Sequence, residues 1–198
     1  MVSLLDHPVI HLLRHSQTAL NAAELVCGAT DVPLTSLGRR QADDAARAWR
    51  DLPIGRLIVS PLLRARQTAD AFVRQRSGLR VEVAPLLAER DWGAWEGQPR
   101  AVVVRDATPD GGESPQAFRD RIRAGLITIA APAVPEDPPL IVAHSGTVRE
   151  IMALLDLPFH RPGNCELLTL SRDNRGNWSA TLPRRAPVTH VSYSERTA

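Results

Sequence analysis

The chain has 198 residues, a length that fits one compact α/β domain with a substantial core. Its 24 basic and 22 acidic residues leave a formal net charge of +2 at pH 7, too small to indicate a nucleic-acid-binding protein. No apolar stretch approaches the roughly 20 residues that a membrane span requires. The N-terminus lacks the basic start and apolar core of a signal peptide. We therefore expect one cytoplasmic domain over residues 1–198 that binds neither nucleic acid nor membrane.

The two cysteines and the basic residues restrict the chemistry further. Cys27 and Cys165 lie far apart and form no C-x-x-C pair, so we expect free thiols and neither a zinc nor a redox motif. All 24 basic residues are arginine. A phosphate site in this chain must therefore be built from arginine, histidine, polar side chains and backbone amides, and the planar guanidinium suits that purpose.

Strand and helix patterns alternate along the chain. Strands are predicted over 8–13, 56–60, 80–84, 140–143, 165–171 and 177–182, with a turn at 174–176. Helices are predicted from Thr35 to about Leu52, from Ser60–Pro61 to about Arg76, over 114–130 and over 147–155. Residues 85–112 follow no regular pattern, and a Pro-rich connection occupies 132–139. This order predicts an α/β fold, a three-layer α/β/α sandwich around a mainly parallel sheet.

Polar side chains follow three of the predicted strands. Arg14 and His15 follow the first strand, Ser60 ends the second, and His144 follows the strand at 140–143. Because ligands of such sheets bind beyond the carboxyl ends of the strands, we expect these side chains to share a pocket. Arg64 and Glu89 are expected to join them.

These residue types suit phosphoryl transfer. A neutral imidazole is nucleophilic near pH 7 and can hold a phosphoryl group covalently. Arginines neutralise the non-reacting phosphate oxygens. A carboxylic acid of raised pKa can protonate the leaving alkoxide and later take a proton from water. No carboxylate cluster typical of a metal site is visible, so we expect neither a metal nor a cofactor.

Six ordered segments resemble the histidine phosphatase superfamily, also called the phosphoglycerate mutase-like family. They span about residues 8–155 and read LLRHSQTALN, DVPLTSLGRRQA, SPLLRARQTA, LLAERDWGAWEG, GGESPQAFRDRI and IVAHSGTVREI. The first segment is similar to the RHG signature of that family. The resemblance implies a three-layer, phosphoglycerate mutase-like fold, in agreement with the strand and helix pattern.

The resemblance also implies a role for individual residues. His15 matches the nucleophile and Glu89 matches the general acid, which later acts as the base. The matching phosphate-binding residues are Arg14, Asn21, Arg64, His144 and, through its backbone N–H, Ser145. Asp91 and Glu96 lie close to Glu89 in the sequence and compete with it as the candidate acid.

Two serines occupy positions where the family has glycine. Ser16 follows the nucleophile, and Ser145 follows His144. In the family, the carbonyl after the nucleophile orients the imidazole by accepting its Nδ1 hydrogen. A serine retains that carbonyl as long as its backbone does not need a positive φ.

The leading hypothesis is a metal-independent phosphomonoester hydrolase, a phosphatase of the histidine acid type with a phosphohistidine intermediate. Its expected substrate is a small phosphorylated metabolite such as a sugar phosphate, a nucleotide or an α-ribazole phosphate. The alternatives are a phosphoglycerate mutase, whose cofactor-enclosing insertions would need a longer chain, a phosphoprotein phosphatase and a non-catalytic phosphate-binding module. Residues 22–34, 90–113 and 156–165 are expected to determine specificity, and 98–112 form either a lid or an ordinary loop. The sequence carries no signal for an oligomeric state.

Overall fold

The computed structural model describes residues 4–129, 137–182 and 184–186. Position 130 of the predicted 114–130 helix and positions 132–136 of the Pro-rich connection therefore lie outside the described residues. The strands are β1 (Val9–Arg14), β2 (Arg56–Val59), β3 (Arg80–Val83), β4 (Pro139–Ala143), β5 (Glu166–Arg172), β6 (Trp178–Ala180) and β7 (Arg184–Arg185). The α-helices are α1 (Ala19–Ala22), α2 (Ser36–Ala48), α3 (Leu63–Gln75), α4 (Pro115–Thr128) and α5 (Ser145–Leu154).

The strands of the described ranges form one seven-stranded mixed sheet. Its order is β3-β2-β4-β1-β5-β6, and β7 also pairs with β5. The four strands from β3 to β1 are mutually parallel, whereas β5 runs antiparallel to β1 and both β6 and β7 run antiparallel to β5. The sheet is therefore parallel only in its first four strands. The short turn between β5 and β6 permits only the antiparallel pairing of those two strands.

Helices cover both faces of this sheet. Side chains alternate between the faces along each strand, so Leu12 and its neighbour Leu13 belong to different cores. On one face α4 and α5 pack against the sheet through residues such as Ile122, and on the other α2 and α3 do so through residues such as Phe72. This arrangement confirms the predicted three-layer α/β/α sandwich.

The predicted start of α3 at Ser60–Pro61 is wrong. The helix begins at Leu63, and its N-cap residue Leu62 makes no side-chain capping bond. The Leu63 N–H instead donates to Asp31 Oδ1 at 2.6 Å. The Ser60 hydroxyl lies 2.6 Å from His144 Nε2, and this tertiary contact replaces the local cap.

Two other helix ends differ from their predicted positions. Helix α2 begins after the predicted N-cap Thr35 but ends at Ala48 rather than near Leu52. The carbonyls of Trp49 and Leu52 accept hydrogen bonds from Arg76 Nη2, so the last predicted turn is held by a distant side chain. Helix α5 begins at Ser145, two residues before its predicted start. The sequence pattern missed this first turn because it contains a glycine, a residue of low helix propensity.

Helix α2 approaches the segment after β1 closely at Gly38. A Cβ atom at this position would lie 2.1 Å from the carbonyl oxygen of Gln17. The Thr35 hydroxyl fixes the contact, because it accepts from Gly38 N and donates to Gln17 Oε1, both at 2.9 Å. The first turn of α2 therefore supports the chain just beyond His15.

We expect Gly38→Ala to destabilise the protein by about 1–3 kcal/mol, because it forces a Cβ against a backbone carbonyl. This loss exceeds the gain of about 1 kcal/mol that alanine has over glycine inside a helix. Urea denaturation measures the free energy of unfolding. Arg40→Ala on the exposed side of α2 serves as the control and should change it by less than about 0.5 kcal/mol. A stabilised Gly38→Ala protein would contradict the close approach.

Candidate active site

A cavity of about 240 Å³ lies at the carboxyl ends of β1 and β4 and contains five of the predicted site residues. These are Arg14, His15, Asn21, Glu89 and Ser145. The two strands are parallel neighbours with Arg14 opposite Ala143, so the residues that follow them emerge side by side. The predicted shared pocket is therefore present for Arg14, His15 and Glu89. Ser60, Arg64 and His144, which were expected in the same pocket, do not line it.

His15 is buried, with 4% of its surface exposed, and its ring has a defined orientation. Its Nδ1 lies 2.7 Å from the carbonyl oxygen of Ser16. Because a carbonyl can only accept, the proton resides on Nδ1 and Nε2 carries the lone pair. Burial and then the guanidinium groups of Arg64 and Arg14 hold the pKa of His15 well below its usual range. The imidazole is therefore neutral at physiological pH.

Ser16 fulfils the role expected of the carbonyl after the nucleophile. Ser16 is not among the described non-glycine residues that have a left-handed φ. Serine therefore replaces glycine at this position without backbone strain. Its N–H donates to Thr68 Oγ1 at 3.0 Å, and the Thr68 hydroxyl donates to the Arg64 carbonyl at 2.7 Å. The Ser16 hydroxyl donates to Cys165 Sγ, and the residue does not line the cavity. Ser16 therefore leaves the cavity unobstructed.

The two predicted phosphate-binding arginines, Arg14 and Arg64, differ in whether they line the cavity. Arg14 lines the cavity, and its Nη1 donates to the Pro162 carbonyl at 2.9 Å. Arg64 is completely buried and does not line the cavity, with Nη1 donating to Thr30 O and Nη2 to Gly28 O. Burial, followed by the charge of Arg161, lowers the pKa of Arg14 to about 10, which leaves it protonated. The Nε atoms of both arginines are buried and have no hydrogen-bond partner among the described residues.

His144 is also completely buried and packs beside the nucleophile candidate. Its ring centroid lies 5.1 Å from that of His15, and its Nε2 lies 2.6 Å from Ser60 Oγ. Burial and then the charge of Arg64 hold its pKa well below the usual range. Its Nδ1 has no hydrogen-bond partner within the described part of the chain. Direct contact of Arg64 and His144 with a phosphate stays a prediction.

Glu89 lies in the cavity wall, with its carboxyl group held by two backbone amides. Oε2 accepts from Gly146 N at 2.8 Å, and Oε1 accepts from Arg90 N at 2.9 Å. Burial nevertheless raises the pKa of this carboxyl group, as a general acid requires. A Cβ at position 146 would lie 2.1 Å from Oε1, so only glycine admits the Glu89 carboxyl group here.

The two competing carboxylates have structural roles. Asp91 Oδ1 accepts from Gly93 N at 2.8 Å. The Glu96 carboxylate accepts four backbone N–H groups, from Gly28, Ala29, Thr30 and Trp92. Neither residue lines the cavity. Of the three candidates, Glu89 is the one that shares a cavity with His15.

Asn21 lines the cavity and also participates in the turn after β1. Its Oδ1 accepts from Asn164 Nδ2 at 2.9 Å and from Thr18 N at 3.3 Å, which completes the capping box of α1. Asn164 Nδ2 also donates to the carbonyl of His15 at 3.1 Å. Asn164 was missed by the sequence analysis, because it belongs to none of the recognised segments.

Several other residues line the cavity and lie outside the predicted set of catalytic and phosphate-binding residues. They comprise Leu25, Val26, Cys27, Trp92, Arg100, Val103, Arg105, Gly146 and Arg161. All three segments expected to determine specificity contribute to this group, and the only available signal was their irregular pattern. The 98–112 loop forms part of the cavity wall, where Arg90 holds it by donating to the carbonyls of Arg105 and Ala107, both at 2.7 Å.

Within residues 4–129, 137–182 and 184–186, no group of three or more histidine, cysteine, aspartate or glutamate side chains is placed to hold a metal ion. No helix in these ranges is long and apolar enough to cross a membrane. Cys27 and Cys165 are free thiols, as predicted.

The fold and the site together define a layered α/β protein with a buried pair of histidines and an arginine at the carboxyl ends of its parallel strands. The sequence profile of the histidine phosphatase superfamily (branch 1) matches residues 10–182. The chain therefore belongs to this superfamily, which confirms the resemblance drawn from the motifs.

Three comparisons illustrate the range of its relatives. Agropine synthesis reductase of Rhizobium rhizogenes is 34% identical over 199 residues, covering 94% of this chain but 44% of that protein, so the chain spans less than half of it. A protein of Cronobacter sakazakii named probable phosphoglycerate mutase GpmB is 32% identical over 180 residues, 80% of this chain and 82% of that protein. The structure of a mycobacterial glucosyl-3-phosphoglycerate phosphatase with VO3 has a TM-score of 0.73 at 27% identity and covers 88% of this chain and 98% of that chain. The last two of these proteins bear the names of a probable mutase and of a phosphatase.

The raised pKa of Glu89 has a measurable effect on stability. Because its pKa is raised, the Glu89 carboxyl group binds a proton more tightly in the folded protein than in the unfolded chain. Protonation of Glu89 therefore stabilises the fold at low pH, and this stabilisation is lost as pH rises from the ordinary pKa of 4.5 towards the raised value. Glu89→Gln removes this titration. We expect the stability of the variant relative to the wild type to increase as pH rises above 4.5, as measured by urea denaturation across the pH range. A flat or falling difference would show that the Glu89 pKa is not raised.

Proposed function

We propose that this protein is a metal-independent phosphomonoester hydrolase that forms a phosphohistidine at His15. The observation that carries the proposal is an oriented, neutral imidazole beside three buried nitrogens that lack partners among the described residues, namely Arg14 Nε, Arg64 Nε and His144 Nδ1. Buried donors without partners are costly, and the oxygens of a bound phosphate would satisfy them.

The proposal includes one tautomer of His144, with the proton on Nδ1 and the Ser60 hydroxyl as donor to Nε2. Ser60 Oγ accepts weakly from Leu62 N at 3.4 Å and lies 2.6 Å from His144 Nε2. With the Ser60 hydroxyl donating to Nε2, the His144 proton resides on Nδ1. His144 then offers a neutral N–H donor to a phosphate oxygen, while the arginines supply the positive charge.

In the first step, the Nε2 lone pair of His15 attacks phosphorus and the ester P–O bond breaks. The leaving alkoxide takes the proton of the Glu89 carboxylic acid, whose raised pKa keeps that proton available. The Ser16 carbonyl stabilises the phosphoryl-imidazole by accepting the Nδ1 hydrogen.

In the second step, the Glu89 carboxylate removes a proton from water and the resulting hydroxide attacks phosphorus. The P–N bond breaks, so inorganic phosphate leaves and His15 returns to its neutral form. Arg105 and Arg161 line the cavity and are exposed, so the cavity opens to solvent and water can reach the intermediate.

We expect His15→Ala to lower hydrolysis of p-nitrophenyl phosphate by at least about a thousandfold, because no other described group supplies an oriented nucleophile. The assay contains EDTA, since the proposed reaction needs no metal. Wild-type protein quenched during turnover of a 32P-labelled ester should carry an acid-labile, alkali-stable adduct that His15→Ala lacks. Arg40→Ala, at an exposed position on α2, is the control and should retain both activity and adduct. Full activity in His15→Ala would reject the proposed nucleophile.

A phosphoglycerate mutase is the second candidate, because the chain is similar to a protein of that name. The two reactions share the phosphohistidine and differ in the acceptor, which is water or a second hydroxyl group. We expect incubation with 3-phosphoglycerate and catalytic 2,3-bisphosphoglycerate to release inorganic phosphate without forming 2-phosphoglycerate. Detection of 2-phosphoglycerate by an enolase-coupled assay would instead establish mutase activity.

The proposal extends to the kind of substrate. A cavity of about 240 Å³ is slightly smaller than typical ligand pockets of about 300–1,000 Å³, which favours a small phosphorylated metabolite over a phosphoprotein. We further propose that the chain acts as one domain over residues 1–198, in the cytoplasm.

A further inference from the structure

Three arginines at the exposed side of the cavity have no part in the reaction proposed above. Arg100, Arg105 and Arg161 line the cavity together with Arg14. We call Arg100, Arg105 and Arg161 the arginine rim. Glu89, the one carboxylate among the lining residues, is the proposed acid, which is neutral before the reaction begins.

The arginine rim forms no ion pair with a carboxylate in the described part of the chain. Seven ion pairs occur among the described residues, and none of them includes a rim arginine. Other arginines of this chain do find carboxylates, as Arg121 does with Glu113 and Arg185 with Glu166. The rim therefore concentrates positive charge without an ion pair, and Glu89 is the carboxylate whose charge acts on Arg161.

The three guanidinium groups also act on one another and on the phosphate site. Burial lowers the pKa of Arg161, and the charges of Arg100 and Arg105 lower it further. The charges of Arg161 and Arg100 in turn lower the pKa of Arg14. This repulsion is unfavourable in the free protein, and a bound anion would relieve it.

Backbone contacts hold the rim close to the proposed phosphate site. Arg14 donates to the carbonyl of Pro162, the residue next to Arg161. The Arg100 N–H donates to the Glu24 carbonyl at 3.2 Å, and the Arg105 carbonyl accepts from Arg90. The cavity of about 240 Å³ therefore places the rim within reach of a small molecule whose phosphate lies beside His15.

We propose that the arginine rim is a second anion subsite, so that the substrate is a small phosphomonoester carrying a further carboxylate or phosphate group. This inference rests on the proposed function and specifies its substrate class. A planar guanidinium binds carboxylate or phosphate oxygens in pairs, and these charge-assisted bonds are stronger than neutral ones.

Two matched substrate pairs test the subsite. The pair 3-phosphoglycerate and glycerol 3-phosphate differs by a carboxylate, and the pair fructose 1,6-bisphosphate and fructose 6-phosphate differs by a second phosphate. We expect wild-type kcat/KM to be at least about tenfold higher for the doubly anionic member of one pair, and the pair that shows the preference identifies the second anion. Equal values within both pairs would overturn the proposal.

Variants then assign that preference to the rim. Arg161→Gln and Arg105→Gln should lower kcat/KM about tenfold for the preferred substrate and by a smaller factor for p-nitrophenyl phosphate, which has no second anion. Arg123→Gln removes the same charge from an exposed position on α4 and should leave both substrates unaffected. An equal loss on both substrates would indicate general attraction of anions by the rim and would overturn the subsite.

A binding measurement separates this inference from the proposed function. Calorimetric titration of Glu89→Gln with 3-phosphoglycerate and with glycerol 3-phosphate, and likewise with the fructose phosphates, needs no hydrolysis. Tighter binding of one doubly anionic ligand, lost in the Glu89→Gln/Arg161→Gln double variant, supports the subsite even if the wild type hydrolyses no ester. Hydrolysis of p-nitrophenyl phosphate without any binding preference would leave the proposed function standing and reject the subsite.

Discussion

The hydrogen bond from His15 Nδ1 to the Ser16 carbonyl is the interaction on which the candidate site depends. It determines the tautomer of the imidazole and therefore which nitrogen carries the lone pair. The Thr68 hydroxyl fixes the backbone at this bond, because it accepts from the Ser16 N–H and donates to the Arg64 carbonyl. A single threonine hydroxyl on α3 thus links the position of the nucleophile candidate to the position of a buried arginine. Serine in place of glycine does not disturb this network, because the network uses only the backbone of residue 16.

Burial has opposite effects on the two kinds of titratable group in the site. It disfavours the charged form in each case, so it keeps His15 and His144 unprotonated while it raises the pKa of Glu89. The neighbouring arginines reinforce the effect on the histidines and oppose it at Glu89. A neutral imidazole and a carboxyl group of raised pKa therefore line the same cavity. The charges of the arginines alone would have lowered the pKa of Glu89, so burial is what raises it.

The fold brings these groups together through the adjacency of β1 and β4. These strands are distant in the sequence, yet their parallel register places His15 and His144 next to each other. Helix α5 then begins directly after β4, so Gly146 presents its N–H to Glu89. The low helix propensity of that glycine hid the first turn of α5 in the sequence. Its absent side chain is what admits the Glu89 carboxyl group.

Local patterns in the sequence were sufficient to predict the layered fold and the strand ends. The ordered motifs were sufficient to name the candidate site residues Arg14, His15, Arg64, Glu89 and His144. They were sufficient because periodicity and capping are short-range properties, and because a series of motifs retains its order along the chain. Only the tertiary structure decided which of three nearby carboxylates lies beside His15, since Asp91 and Glu96 bind backbone amides of segments that the sequence does not show to be close. It likewise decided that Ser60 contacts His144 instead of capping α3. The arginine rim also emerged only in three dimensions, because its members come from two separate irregular segments and meet only when those segments enclose the cavity.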